Sequence, residues 1–156
     1  MHIFSVGLLF TTPELGKFVS GAILYEETLY QSHANGTPFV DCLNSVGVLP
    51  GIKVDTGLQP LPGADPIETW CTGLDGLKER AAKYYAQGAR FAKWRAVLQI
   101  SDGTPSPLSL QENAWGLARY ARAVQESGTS FTHYDRLQCI IFVFIFFYRL
   151  GTHRRA

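Results

Sequence analysis

The chain has 156 residues, 46% hydrophobic and 17% charged, with a formal net charge of +1. That is the composition of a single globular domain with enough apolar mass for a core, and it excludes a global field that would draw the chain to nucleic acid or to an anionic membrane. Three cysteines, Cys42, Cys71 and Cys139, are too scattered and too few for a disulfide framework or a zinc site, and they imply a reducing compartment.

Residues 1–10 are partly apolar but carry neither the basic start and small-residue cleavage site of a secretory signal nor the Arg/Ser-rich character of a transit peptide. Residues 19–25 (VSGAILY) predict a first strand. Glu26 and Glu27 at its end read as solvated loop carboxylates. Thr37 and Pro38 open a helix as cap and first-turn proline; Phe39, Val40, Leu43 and Val46 give it one apolar face, and Gly47 stops it. Residues 51–55 (GIKVD) predict a second strand, and the proline-rich stretch 58–69 predicts a loop. Over residues 73–87 the helical period returns with Leu74, Leu77, Ala81 and Tyr84 on one side, ending at Gly88. Residues 90–97 (RFAKWRAV) predict a third strand, followed by a Gly/Pro loop over 102–107. Ser109 and Glu112 have the spacing of a capping box, and Leu110, Ala114, Leu117, Ala118, Ala121 and Val124 continue as an apolar stripe to Gly128. Strand and helix thus alternate, which implies parallel strands joined by crossover helices, an α/β fold.

After Gly128 the pattern changes. Residues 129–138 are polar and irregular, residues 139–148 (CIIFVFIFFY) form an unbroken apolar run, and the chain ends on a small basic terminus. A spanning helix needs about 20 apolar residues, so this run is too short for a membrane span; its β-branched and aromatic residues suit a buried strand.

Four charged residues stand inside strand segments: Lys53, Asp55, Lys93 and Arg95. Strand side chains alternate faces, so Lys53 and Asp55 share one face and Lys93 and Arg95 share another, while Trp94 points the opposite way into the helix layer. Charges on a covered parallel sheet need partners or a polar cavity. Two readings stay open on periodicity alone. The four could line the C-terminal mouth of a parallel barrel, two lysines and an arginine receiving an anionic, phosphorylated substrate while the carboxylate moves a proton. They could equally be two ion pairs on exposed strand edges. The four histidines show no ligand spacing, there is no P-loop, and Cys71 beside Trp70 reads as a small buried hydrophobe.

The segments SGAILYEETLYQ, GVLPGIKVDTGLQPLPG, GLDGL, GARFAKWRAVL and ENAWGLARYA, in that order, closely resemble class I fructose-bisphosphate aldolases, with a leaning toward the plastid-type enzymes of plants and algae. The resemblance covers residues 7–128. It leaves residues 1–6 as a divergent N-terminus and residues 129–156 as a tail unrelated to the family. It implies an eight-stranded (β/α) barrel, a partial TIM barrel here, of which this chain holds about three βα units, the family's second to fourth. It also implies cleavage of fructose 1,6-bisphosphate through a lysine Schiff base without a metal or other cofactor. By resemblance, Lys53, Lys93 and Arg95 are substrate-binding residues, Lys93 also stabilises charge, and Asp55 is a catalytic residue beside the Schiff-base site. Thr56 stands where family members usually carry a second lysine.

The family's Schiff-base strand, of the EGTLLKPN type, and its acid–base glutamate strand have no counterpart in these residues. The expectation is therefore a chain that is inactive alone: a truncated, alternatively spliced or mispredicted product, or a non-catalytic isoform docking on full-length aldolase subunits. The implied small-molecule partner is a sugar phosphate, and the implied compartment is the plastid stroma or the cytoplasm.

Overall fold

The computed structural model describes residues 2–64, 68–128 and 142–149. The chain forms α1 (His2–Phe10), β1 (Gly21–Leu24), α2 (Glu26–Leu29), α3 (Phe39–Ser45), β2 (Leu49–Lys53), β3 (Gly57–Pro60), β4 (Thr69–Thr72), α4 (Leu77–Ala86), β5 (Phe91–Ile100), α5 (Pro107–Gly128) and β6 (Phe142–Arg149), with one 3-10 turn at Leu15–Lys17. Four strands make a parallel sheet in the order β1-β2-β5-β6, and β3 pairs with β4 in a separate antiparallel hairpin. The expected strand–helix alternation with a parallel sheet is what the chain adopts.

The structure departs from the sequence expectations in several places. Pro38, not Thr37, is the cap of α3, with no side-chain cap bond, and β2 ends at Lys53, so Asp55 lies beyond the strand rather than in it. Residues 58–69 are not only loop: Gly57 to Pro60 pairs with Thr72 to Thr69. Neither strand carries a period-two signal, because this ladder is set by docking against β5 and α5 rather than by local propensity: Thr69 Oγ1 donates to the Val97 carbonyl and Asn113 Nδ2 to the Thr69 carbonyl, at 3.5 and 3.0 Å. The N-terminal segment, given no element from sequence, forms α1, and Phe10 at its end meets Phe39 edge-on with ring centroids 5.4 Å apart. Helix α4 starts at Leu77 rather than at residue 73. Gly73 has φ 123°, a value that no helix interior accepts.

A further departure concerns the start of α5. Ser109 is not the cap; it lies within the first turn. Ser106 caps the helix, its Oγ accepting the Ser109 N–H at 3.1 Å, and Pro107 takes the first helical position. The reciprocal acceptor that a capping box draws from its own helix comes from Glu68, whose Oε1 accepts the Ser106 N–H at 2.7 Å.

The core lies between the sheet and helices α3, α4 and α5. Leu24, Ile52, Ala92 and Trp94 point into it from the strands, Val54 from the segment just after β2, and Leu43, Leu77, Ala81, Tyr84 and Tyr120 from the helices. The opposite face is tight in its own way. A Cβ added at Gly51 would fall 2.3 Å from the Phe91 ring, so only glycine lets that ring lie across β2. The strand predicted for the apolar run is present as β6, parallel to β5 from Lys93↔Phe142 to Ile100↔Arg149. Residues 129–141 and 150–156 lie outside the described residues. Among the described residues no helix is long and apolar enough to cross a membrane.

Candidate functional site

Register decides the site. Within the parallel sheet Lys53 on β2 pairs directly with Lys93 on β5, so the two lysines are neighbours on one face. Like charges side by side on a sheet repel. Asp55, two residues beyond Lys53, turns its carboxylate back between them. Its side chain has no solvent exposure, with Oδ1 lying 3.0 Å from Lys53 Nζ and 3.7 Å from Arg95 Nη2, and Oδ2 3.5 Å from Lys93 Nζ. The Lys53 ammonium aims a proton at the Asp55 backbone carbonyl, 2.6 Å away, and acts on the carboxylate as a charge rather than an aligned donor.

All four charged residues thus converge on one cluster. The two-ion-pair alternative, with the pairs on exposed edges, does not describe it: one buried carboxylate serves three partly exposed cations, leaving two positive charges in excess. Arg95 Nε is buried and has no hydrogen-bond partner among the described residues. Tyr25 stands at the rim with Lys53 Nζ 5.8 Å from its ring centroid. Such a cluster can receive an anion, with the guanidinium suited to forked contact with a phosphate and the ammonium groups acting as point charges.

On the other face of β5, Trp94 is buried and stacks on Tyr120 of α5, as the alternation of faces requires. Trp94 therefore acts as a wedge that orients Lys93 and Arg95 outward. Glu26 and Glu27 are exposed, in keeping with their reading as solvated carboxylates. The Cys71 thiol is buried, and burial followed by the nearby Asp55 charge pushes its pKa up to about 11, with Arg95 opposing. It is a protonated, unreactive thiol at neutral pH. Thr56 bonds through Oγ1 to Thr72 Oγ1 at 2.8 Å, tying the end of the Asp55 segment to the β3–β4 hairpin. Among the described residues no group of three or more His, Cys, Asp or Glu side chains could hold a metal ion.

Two contributors escape sequence reasoning. Arg80 of α4 donates to the backbone carbonyls of Val54 and Gly73, on either side of the Asp55 segment. Glu68 caps α5 from 38 residues away. Both look in sequence like ordinary surface charges, because their partners are backbone groups that no side-chain pattern announces.

Residues 5–130 match the sequence model of the class I fructose-bisphosphate aldolases of glycolysis. The chain is 60% identical over 121 residues to chloroplastic fructose-bisphosphate aldolase 3 of Arabidopsis thaliana, a match that covers 78% of this chain and 30% of that protein. It is 61% identical over 121 residues to cytosolic fructose-bisphosphate aldolase 6 of the same plant, covering 78% of this chain and 34% of the relative. Its fold superposes on the solved structure of fructose-bisphosphate aldolase from Plasmodium falciparum, in complex with TRAP and a small-molecule inhibitor, with a TM-score of 0.76 and 54% identity. That match covers 79% of this chain and 36% of the other. The chain spans about a third of the length of the curated relatives it matches. Its parallel α/β arrangement fits part of a TIM-barrel-like fold. Sequence and fold agree, and the chain belongs to the class I fructose-bisphosphate aldolase family.

Proposed function

We propose that this chain carries part of the substrate site of a class I fructose-bisphosphate aldolase, and that it binds the sugar phosphate without cleaving it. The observation that supports this most directly is the buried Asp55 carboxylate ringed by Lys53, Lys93 and Arg95 with positive charge to spare. In this reading residues 7–128 are the second to fourth βα units of the barrel, flanked by a divergent residue 1–6 start and a non-family tail over 129–156. Arg95, whose side chain is partly exposed, takes a phosphate oxygen through its guanidinium. Lys93 faces a negatively charged ligand oxygen, and Lys53 fixes Asp55, the residue that matches the family's catalytic carboxylate.

Cleavage of the hexose bisphosphate in this family runs through a lysine imine that draws electrons from the breaking C–C bond. Neither Lys53 nor Lys93 sits in the family's Schiff-base motif, so this reading assigns no imine to this chain. The relatives are named as chloroplastic and cytosolic proteins, which supports the plastid stroma or the cytoplasm as its compartment.

Incubation of the purified chain with dihydroxyacetone phosphate and borohydride, read by intact mass, tests the chemistry. The unmodified mass is expected, and a covalent adduct would refute the non-catalytic reading. Titration with fructose 1,6-bisphosphate by calorimetry or NMR tests the site; an absence of binding at millimolar ligand refutes it.

A second reading rests on the sheet edge. β1 is terminal in the strand order, with its Ile23 exposed at 39% and Leu49, at the start of the neighbouring β2, at 46%. An apolar open edge favours association, and a full-length aldolase subunit is the proposed partner. Co-purification of the two chains supports it; self-aggregation alone counts against it.

A further inference from the structure

The Asp55 carboxylate follows β2 directly but is not itself in a strand, and something must fix it. Val54 N–H donates to the Lys93 carbonyl at 3.1 Å, which ties the segment to β5. Thr56 N–H donates to the Thr72 carbonyl at 2.9 Å, which ties it to the hairpin. Gly73 packs flat against the same three residues: a Cβ there would lie 2.9 Å from Thr56 N, 3.1 Å from the Val54 carbonyl oxygen and 3.3 Å from Asp55 Cα.

The Val54 carbonyl, in a buried residue one step before Asp55, also needs a partner. Arg80 supplies its partner. Nη1 donates to Val54 O at 3.3 Å and Nη2 to Gly73 O. A planar guanidinium bridges two carbonyls on separate chain segments in one geometry, which an ammonium on a flexible stem does not fix in the same way. Behind it lies the Tyr84 phenol, whose pKa burial raises while the Arg80 contact lowers it, with Glu26 nearby. Arg80 therefore holds, from α4, the segment that carries the site's only buried carboxylate among the described residues.

We propose that Arg80 is a positioning residue: by clasping the Val54 and Gly73 carbonyls it sets where the Asp55 carboxylate stands among Lys53, Lys93 and Arg95, without itself touching the ligand. The binding arm of the test rests on the sugar-phosphate reading above, while the spectroscopic arm does not.

The full 156-residue chain is compared with Arg80→Lys, Arg80→Met, Asp55→Asn and the Arg80→Met/Asp55→Asn pair. Circular dichroism reports the fold, the 13C shift of the Asp55 carboxylate reports its surroundings, and titration reports the affinity for dihydroxyacetone phosphate. Arg80→Met is expected to keep the fold, move the Asp55 resonance and weaken binding about tenfold, the loss of one charge-assisted contact. Arg80→Lys should recover part of both effects. On the Asp55→Asn background Arg80→Met should add nothing to the loss, because it acts through Asp55; a merely structural role would add fully. If the wild-type chain takes up no dihydroxyacetone phosphate, the sugar-phosphate reading fails and the Asp55 resonance still decides the role of Arg80. An unmoved Asp55 resonance in both variants, additive losses, or unfolding of both variants would overturn the proposal.

Discussion

Trp94 of β5 and Tyr120 of α5 lie stacked, ring centroids 5.3 Å apart and planes 26° apart, and the Tyr120 hydroxyl donates to the Ala92 carbonyl at 2.8 Å. One aromatic pair thus joins helix to strand and also settles which face of β5 is covered. Lys93 and Arg95 face Asp55 because Trp94 is locked the other way. Truncation of Trp94 to alanine is expected to cost about 3–5 kcal/mol, since a fully buried indole leaves a large cavity. Tyr120→Phe removes only a buried hydrogen bond and should cost about 1 kcal/mol. Urea unfolding of the two variants checks the ratio.

Asp55→Asn leaves Lys53 and Lys93, register partners on one face, without their shared counter-charge. A loss of about 2 kcal/mol is expected, below that of a fully buried pair because the three cations are partly solvated. The variant should regain stability as salt is added, because the new term is repulsion that ions screen. Unfolding curves at low and high ionic strength measure it; a variant equally destabilised at both contradicts the account.

Glu68→Ala removes the acceptor of the Ser106 N–H at the head of α5. The part-buried amide left behind should cost about 1 kcal/mol, while Glu68→Gln, which keeps an acceptor oxygen, should cost less. Hydrogen exchange in the first turn of α5 should quicken in the alanine variant alone.

Cys71 titrates near 11 against an ordinary value of 9.0, chiefly through burial. A thiol whose folded pKa is raised contributes stability in full below pH 9, and that contribution is lost as pH rises through 11. Unfolding stability should therefore decline over this window, and less so in Cys71→Ala. Iodoacetamide at pH 8 should leave Cys71 unmodified in the folded chain and alkylate it in urea.

Glu126 takes the opposite sign. Hydrogen bonds from Arg122 and Lys78 hold its carboxyl below the ordinary 4.5, so their contribution is present above that pH and disappears as pH falls through the lowered value. Lys78→Gln should raise the Glu126 midpoint, followed by side-chain NMR, and should loosen the link between α4 and α5 made by the 3.1 Å ion pair.

Much of this architecture was readable from residue order. The alternation Phe91-Ala92-Lys93-Trp94-Arg95 identifies β5 and assigns its faces, because strand side chains alternate whatever lies around them. The apolar face of α3 and the C-terminal limit of α4 at Gly88 are likewise readable, although α3 starts one residue later than Thr37 and Pro38 imply. The β3–β4 hairpin was not, since its ladder is made by packing against β5 and α5. The cap of α5 was misplaced by one turn because Ser109-x-x-Glu112 imitates a capping box, while the true cap, Ser106, borrows its glutamate from Glu68.

Local order alone determined the strand–helix alternation, the family and the two charged pairs, each pair on one face of its own strand. Only tertiary structure decided that these pairs form one site. Lys53 meets Lys93 because β2 and β5 are neighbours in register, and Asp55 reaches both because Arg80 clasps the Val54 and Gly73 carbonyls beside it. Periodicity arises within a strand from the geometry of each peptide. Strand adjacency and backbone clasping arise between segments far apart in the chain, where no local spacing encodes them.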